Sequence, residues 1–285
     1  MAKVAIVTDS TTYFPDEMLR GLPVYIAPLQ VIWGNEIYQD RIDIQPGDFY
    51  TRLKTAKVMP TTSQATPANF DELYGRLSGE GYDILSIHIS SKLSGTLDSA
   101  AQARQHYPKA RIELFDSETA AMALGYQVLA AARAAAEGAT LNECLELARQ
   151  AKEKTNVFFV VSTLEFLHRG GRIGGASAFV GTALNLKPIL TLVDGRVEAV
   201  EKVRTMSKAL DRLTELVDKG IGSARPVHLA TLHANAPQEA QDLLKRVRDK
   251  FGVSDVHDAV VSEVSPVIGT HTGPGTVGLA YMAGM

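Results

Sequence analysis

The sequence is short of cysteine, of net charge and of long hydrophobic runs, and each shortage removes a class of function. A single cysteine, Cys144, among 285 residues excludes an intramolecular disulfide and any zinc site built from several cysteines. Its setting, Leu141-x-x-Cys144-Leu145-x-x-Ala148, has helical spacing and reads as a small buried apolar side chain. Lys and Arg number 29 against 32 Asp and Glu, a net charge of −3, so the basic excess of a generic nucleic-acid binder is missing. Only Val4 to Val7 precede Asp9, far short of the apolar region of a signal peptide. The uncharged stretch Ala120 to Ala132 is shorter than the ~20 residues that span a bilayer. Several catalytic signatures are absent too. There is no G-x-x-x-x-G-K-[ST] phosphate loop, no G-x-S-x-G nucleophile elbow, and no H-x-x-x-H or H-x-H pair for a metal. Gly273-Pro274-Gly275-Thr276-Val277-Gly278 satisfies G-x-G-x-x-G formally, but too little chain follows for a dinucleotide-binding unit.

What is present is an ordinary globular composition, 45% hydrophobic and 21% charged, rich enough in apolar side chains to offset the entropy of folding. The expectation is a soluble, cytoplasmic, monomeric protein. The first half alternates strand-like and helix-like segments. Lys3 to Thr8, Val24 to Trp33, Asp83 to Ile89 and Arg111 to Phe115 read as strands. Pro15 opens a helix signal, and Pro46 to Lys54, Pro67 to Leu77, a segment from about Leu97 and Ala120 to Glu137 read as helices. In the second half a helix from Leu141 to Lys154 leads to the strand Val157 to Val161. Ile189 to Val193, Asp194-Gly195 and Val197 to Val200 then form a hairpin signal. Val227 to Leu232 and Val256 to Val261 are strands around a helix from Pro237 to Phe251. The fold class is therefore α/β with two domains. Residues 1–155 form a largely parallel α/β/α domain and residues 156–285 a mixed-sheet α/β domain, with a ligand crevice between them.

Candidate chemistry lies in polar clusters at the ends of these elements: Thr8-Asp9-Ser10-Thr11, Thr61-Thr62-Ser63-Gln64, Ser90 to Thr96 and Gly269 to Gly275. Hydroxyls and backbone N–H groups facing a helix N-terminus form an anion site, and Ser94-Gly95-Thr96 fits that description best. Each Ser or Thr alone is an ordinary helix cap. With His271 and the arginines of His168-Arg169-Gly170-Gly171-Arg172, an anion-binding cleft is the better account. His88 and His228 fall within strands and read as structural, and His106 and His257 as surface residues.

In order along the chain, Thr8-Asp9-Ser10-Thr11, Pro60-Thr61-Thr62-Ser63-Gln64, Ser90 to Thr96, Asp116-Ser117, Gly170-Gly171-Arg172-Ile173, Leu186-Lys187-Pro188-Ile189 and Ile268 to Gly275 resemble the motifs of the DegV family of bacterial fatty-acid-binding proteins. The resemblance covers residues 4 to 281. It implies a long-chain fatty acid such as palmitate, stearate or oleate, held between the domains with its tail in an apolar tunnel. It also implies a non-catalytic role as the acyl-binding subunit of a fatty acid kinase. A separate ATP-dependent subunit would phosphorylate the carboxylate, and the acyl phosphate would feed phospholipid synthesis. Transient membrane contact is compatible with such a carrier, and no cofactor or metal is implied.

By the same resemblance, Thr62, Ser94 and His271 match the residues around the carboxylate. Ser63, Gly95, Thr96, Arg172 and Arg204 match supporting or kinase-facing positions, the arginines having a domain-bridging ion pair as their structural alternative. Thr61 stands where lysine is common, which removes one positive charge from the entrance. Phe158, Phe159, Leu164, Phe166 and Leu167 are candidates for the tunnel wall, ordinary core packing being the alternative for most. Two other functions stay open on the residues alone: a Ser-dependent acyl hydrolase using Ser94, His271 and Asp9, and a lipid transporter or sensor without a kinase.

Overall fold

The structure, a computed structural model, describes residues 2–181, 186–251 and 255–285. Strand β1 (Val4–Asp9) is an unbroken buried run that leads through a short 3-10 turn to β2 (Val24–Ala27). The β-rich segment expected from Val24 to Trp33 is cut at Pro28, which lacks the N–H needed to continue a ladder. Its second part, β3 (Gln30–Trp33), turns at Gly34-Asn35 into β4 (Glu36–Gln39). Helix α1 (Pro46–Leu53) follows, then β5 (Thr61–Ser63), α2 (Pro67–Gly79), β6 (Asp83–His88), α3 (Thr96–Arg104), β7 (Ile112–Asp116), α4 (Ala121–Ala136) and α5 (Leu141–Lys154). Strands β2-β1-β6-β7 form a wholly parallel sheet, and β4-β3-β5 a small antiparallel one. The helix expected after Pro15 is a single 3-10 turn, Asp16–Leu19.

Strand β8 (Thr155–Val160) opens a second sheet. After α6 (Glu165–Arg169) come β9 (Lys187–Val193), β10 (Arg196–Val203), α7 (Met206–Ile221), β11 (Val227–His233), α8 (Pro237–Phe251), β12 (Val256–Glu263), α9 (Pro266–Thr272) and β13 (Val277–Ala283). The sheet order is β10-β9-β8-β13-β11-β12, antiparallel except for β11 and β12. The 189–200 hairpin stands as read. Strands β4, β5 and β13 and helices α6, α7 and α9 come in addition to the elements read from the sequence.

The two sheets share a middle helical layer. Helices α2 and α3 cover one face of the parallel sheet and α4 and α5 the other. Helices α4 and α5 also pack on the inner face of the six-stranded sheet, whose outer face carries α7 and α8. This explains the uncharged stretch 120–132: a helix between two sheets must be apolar nearly all round. Small residues such as Ala123, Ala131 and Ala132 let both sheets approach α4. Cys144 is buried in the same layer. One core cluster accordingly runs from β1 and β6 to Val157, Ala230, Leu232, Ala280 and Met282 on the second sheet.

The Thr8-Asp9-Ser10-Thr11 cluster does not face a ligand. All four residues are fully buried. The Asp9 carboxylate accepts from Thr11 N (3.1 Å), Thr11 Oγ1 (2.6 Å), Ile89 N (2.8 Å) and His88 Nδ1 (3.1 Å). Tyr74 donates to Ser86 Oγ at 2.7 Å, so the Ser86 proton points to His88 Nε2, also at 2.7 Å. That chain leaves the His88 proton on Nδ1, directed at Asp9. It is a fully buried Ser–His–Asp array, and none of its three residues lines either of the two cavities described below. Asp9→Ala would leave four buried donor groups facing a void, and is expected to cost ~3–5 kcal/mol in urea unfolding. A loss under ~1 kcal/mol would contradict the assignment.

Candidate functional site

Beyond the ends of β2 and β6, over the six-stranded sheet, lies a cavity whose empty space, open mouth included, is about 950 Å³. Its mouth is polar and its body apolar. Thr62, Ser63, Gln64, Ser94, Arg172 and His271 stand at the mouth. The walls are aliphatic or aromatic side chains from the segments that follow β2 and β6, including Leu29, Ile89 and Leu93, and from the six-stranded sheet, including Val157, Phe159 and Leu192.

Thr62 is positioned by β5, where it pairs with Val31. Its Oγ1 lies 2.7 Å from Nε2 of His271, a residue of α9. The His271 ring is held well below its ordinary pKa, at about 4, by burial first and by the Arg172 charge second. It is therefore neutral at physiological pH. Its Nδ1 is buried without a protein partner, and the backbone of Gly170 approaches that atom closely. A Cβ built on Gly170 would lie 2.1 Å from it, so glycine at 170 is a steric requirement of the histidine's position.

Ser94 sits in the turn between β6 and α3, its Oγ 2.9 Å from Thr96 Oγ1 and accepting from Thr96 N at 3.3 Å. Thr96 is buried at the first position of α3, and Gly95 caps the helix without a side-chain bond. A Cβ on Gly95 would meet the Gln64 amide at 3.3 Å. Neither Gly95 nor Thr96 lines the cavity, so both shape the Ser94 turn from behind. The same turn is anchored to the second sheet, because Ser90 Oγ donates to Gly195 O at 2.8 Å. Arg172 crosses the same divide. Its Nε donates to Leu93 O (3.0 Å) and its Nη1 to Gly170 O (2.8 Å). Arg204 is exposed between β10 and α7 and lines no cavity among the described residues.

Outside the mouth is a second basin, which shares Thr62, Arg172 and His271 with the inner cavity and adds Met59, Thr61, Phe166 and Arg169. Thr61 is exposed there. Of the aromatic and leucine residues singled out in 158–167, Phe159 and Leu167 line the inner cavity and Phe166 the outer basin. Phe158 packs instead with the α7–α8 core and Leu164 with a small cluster beside the cavity. The hydrolase arrangement is not assembled: Asp9 pairs with His88, Ser94 with Thr96 and His271 with Thr62. His228, His257 and Asp258 bring three donor side chains together at the start of β11 and β12, but none lines the cavity. Gly170, whose missing Cβ admits His271, was visible only as part of a glycine cluster.

The depressed His271 pKa has a testable sign. The unfolded chain takes up this proton near its ordinary value of 6.5, the folded protein only near 4. The histidine's contribution to stability is thus fully present above pH 6.5 and declines as pH falls toward 4. In NMR titration of the ligand-free protein the His271 ring should keep its neutral shifts down to about pH 5 and reach its midpoint near 4. A midpoint near 6.5 would contradict the burial argument.

Comparison with known proteins agrees with this geometry. The sequence profile of the DegV family matches residues 3–284. A DegV domain-containing protein of Halalkalibacterium halodurans is 39% identical over 282 residues, covering 99% of each chain. Among solved structures, a fatty-acid-binding DegV family protein from Thermus thermophilus superposes with a TM-score of 0.92 at 36% identity, covering 99% of each chain. DegV of Bacillus subtilis, a fatty acid binding protein, superposes with a TM-score of 0.90 at 35% identity, over 99% of this chain and 100% of that one. With its two-domain mixed α/β fold and a match along almost its whole length, the chain belongs to the DegV family.

Proposed function

We propose that the chain binds one long-chain fatty acid, carboxylate at the Thr62–Ser94–His271 mouth and tail in the apolar cavity, and presents it to a separate ATP-dependent kinase subunit that forms an acyl phosphate. The observation that carries the reading is the union of hydroxyl and neutral imidazole groups at the mouth with a predominantly apolar cavity behind them. The fatty acids bound by the Thermus and Bacillus relatives support it. Each buried methylene contributes ~0.8 kcal/mol, so the tail supplies most of the affinity. Charge-assisted hydrogen bonds from the mouth fix which end faces out.

A carboxylate is ionised at neutral pH and attacks a phosphoryl group without a general base. A neutral His271 suits that requirement, donating a hydrogen bond and positioning the head group. Arg172, shared by the inner cavity and the outer basin, is the guanidinium in reach of a phosphoryl group on the bound carboxylate. Arg204, exposed and outside both, is assigned to the kinase-facing surface. On this reading the protein is a non-catalytic cytoplasmic subunit of phospholipid synthesis, with the ligand between units 1–155 and 156–285. None of the helices among the described residues is long and apolar enough to cross a membrane.

The test is mass spectrometry of a solvent extract from protein purified without added lipid. A stoichiometric long-chain fatty acid is expected, and its affinity should fall ~10–100-fold in Thr62→Ala, which removes a hydrogen bond to a charged group. Gly170→Ala, which displaces His271, should have an effect of similar size. An extract free of fatty acid, with no uptake of palmitate or oleate, would overturn the lipid reading. Acyl phosphate formation with a bacterial fatty acid kinase subunit and ATP, weakened in Arg172→Ala, separates the kinase role from a transporter or sensor. Wild-type protein that binds lipid but supports no acyl phosphate formation would contradict that role.

A further inference from the structure

Gly278 lies in the interior of β13, a central strand of the six-stranded sheet. Its backbone does not call for glycine, since its φ is not positive. Glycine inside a strand weakens it and often marks a close approach by another group. In register Gly278 stands opposite Phe159 of β8 and Leu232 of β11, so the three share one face of adjacent strands. All three line the cavity. Thr276, just before β13, also lines it, whereas Ala280 is fully buried in the packed layer. The cavity extends over the sheet on both sides of β13. Val157, Phe159, Leu192 and Val197 belong to β8–β10 on one side, and Leu232 and Val264 to β11 and the end of β12 on the other. Gly278 is the bare point on the strand between them.

We propose that the acyl chain crosses β13 over Gly278, and that the missing side chain sets the length of chain the protein accepts. The proposal rests on the fatty-acid reading and deepens it by naming a specificity-determining residue. A Cβ at Gly278 would lie 3.1 Å from Phe159 Cβ, 3.3 Å from the backbone oxygen of Phe158 and 3.4 Å from Leu232 Cδ1. Alanine therefore requires β8 to give by a few tenths of an ångström, while a branched side chain fills the gap between Phe159 and Leu232.

The experiment measures binding of laurate, myristate, palmitate and stearate to wild-type protein, Gly278→Ala, Gly278→Val and Phe159→Leu, with thermal unfolding of each as the control for folding. Excluding about two methylenes from burial corresponds to about tenfold in affinity. Gly278→Val should therefore lower the stearate-to-laurate affinity ratio by at least about tenfold while retaining laurate binding. Gly278→Ala should shift the ratio less and in the same direction, and Phe159→Leu should raise it. If Gly278→Val does not fold, the opposite shifts of Gly278→Ala and Phe159→Leu carry the test. Folded variants with the wild-type ratio would overturn the proposal and leave the fatty-acid reading intact. Wild-type protein that binds none of the four acids would overturn that reading itself.

Discussion

A fully buried carboxylate must find donors, and Asp9 finds them in segments that the chain brings together only on folding. Its four hydrogen bonds come from Thr11 just after β1 and from His88 and Ile89 at the end of β6. The turn that follows Ile89 carries Ser90 and Ser94. One of these reaches the 194–195 hairpin of the second sheet and the other lines the cavity. The position of the mouth therefore depends on a carboxylate that does not itself line the cavity. Burying it without all of its partners would cost several kcal/mol, so the ends of β1 and β6 behave as one rigid platform.

The same economy of donors governs the mouth. A strand threonine, a turn serine and a helix histidine converge on it, and burial keeps the histidine neutral. Fixed positive charge is held back at Arg172, which is exposed and tied to the carbonyls of Leu93 and Gly170. An anion at the mouth thus meets neutral dipoles first and a guanidinium toward the outer basin. That gradient suits a head group that must be held yet remain reachable from outside. Behind it the lining is mostly apolar, and the Thr272 and Thr276 hydroxyls there already donate to backbone carbonyls, which favours one orientation of an amphipathic ligand.

Much of this was legible in the sequence where local physics decides. Buried parallel strands announce themselves as apolar runs, as in Val4–Val7 and Asp83–Ile89, and the Asp194-Gly195 turn marks its hairpin. The serine- and threonine-rich clusters pointed to Thr62 and Ser94, and the glycine-rich segment around 269–275 to His271. Other features depend on partners far away in the chain. Thr61–Ser63 is polar and short, and becomes a strand only because β3 pairs with it. Val277–Ala283 contains Gly278 and resembles a turn-rich tail, yet neighbours on both sides make it a central strand. Asp9 had the composition of a catalytic acid, and only the approach of His88 shows that its carboxylate is already committed. Helix Met206–Ile221 was not read from the sequence, although its Thr205 cap and apolar spacing are local signals that need no distant partner.

The central claim is that the mouth holds an ionised carboxylate through the Thr62 and Ser94 hydroxyls and a neutral His271. The most direct measurement is the NMR shift of the carboxyl carbon of bound, carbon-13-labelled palmitate, followed from about pH 8 down to about pH 4, through the ordinary carboxylic range of ~4–5. The account predicts one ionised signal that resists protonation across this range, and a changed shift in Thr62→Ala. A carboxyl group that titrates as it does in solution, with the same shift in wild type and Thr62→Ala, would contradict it.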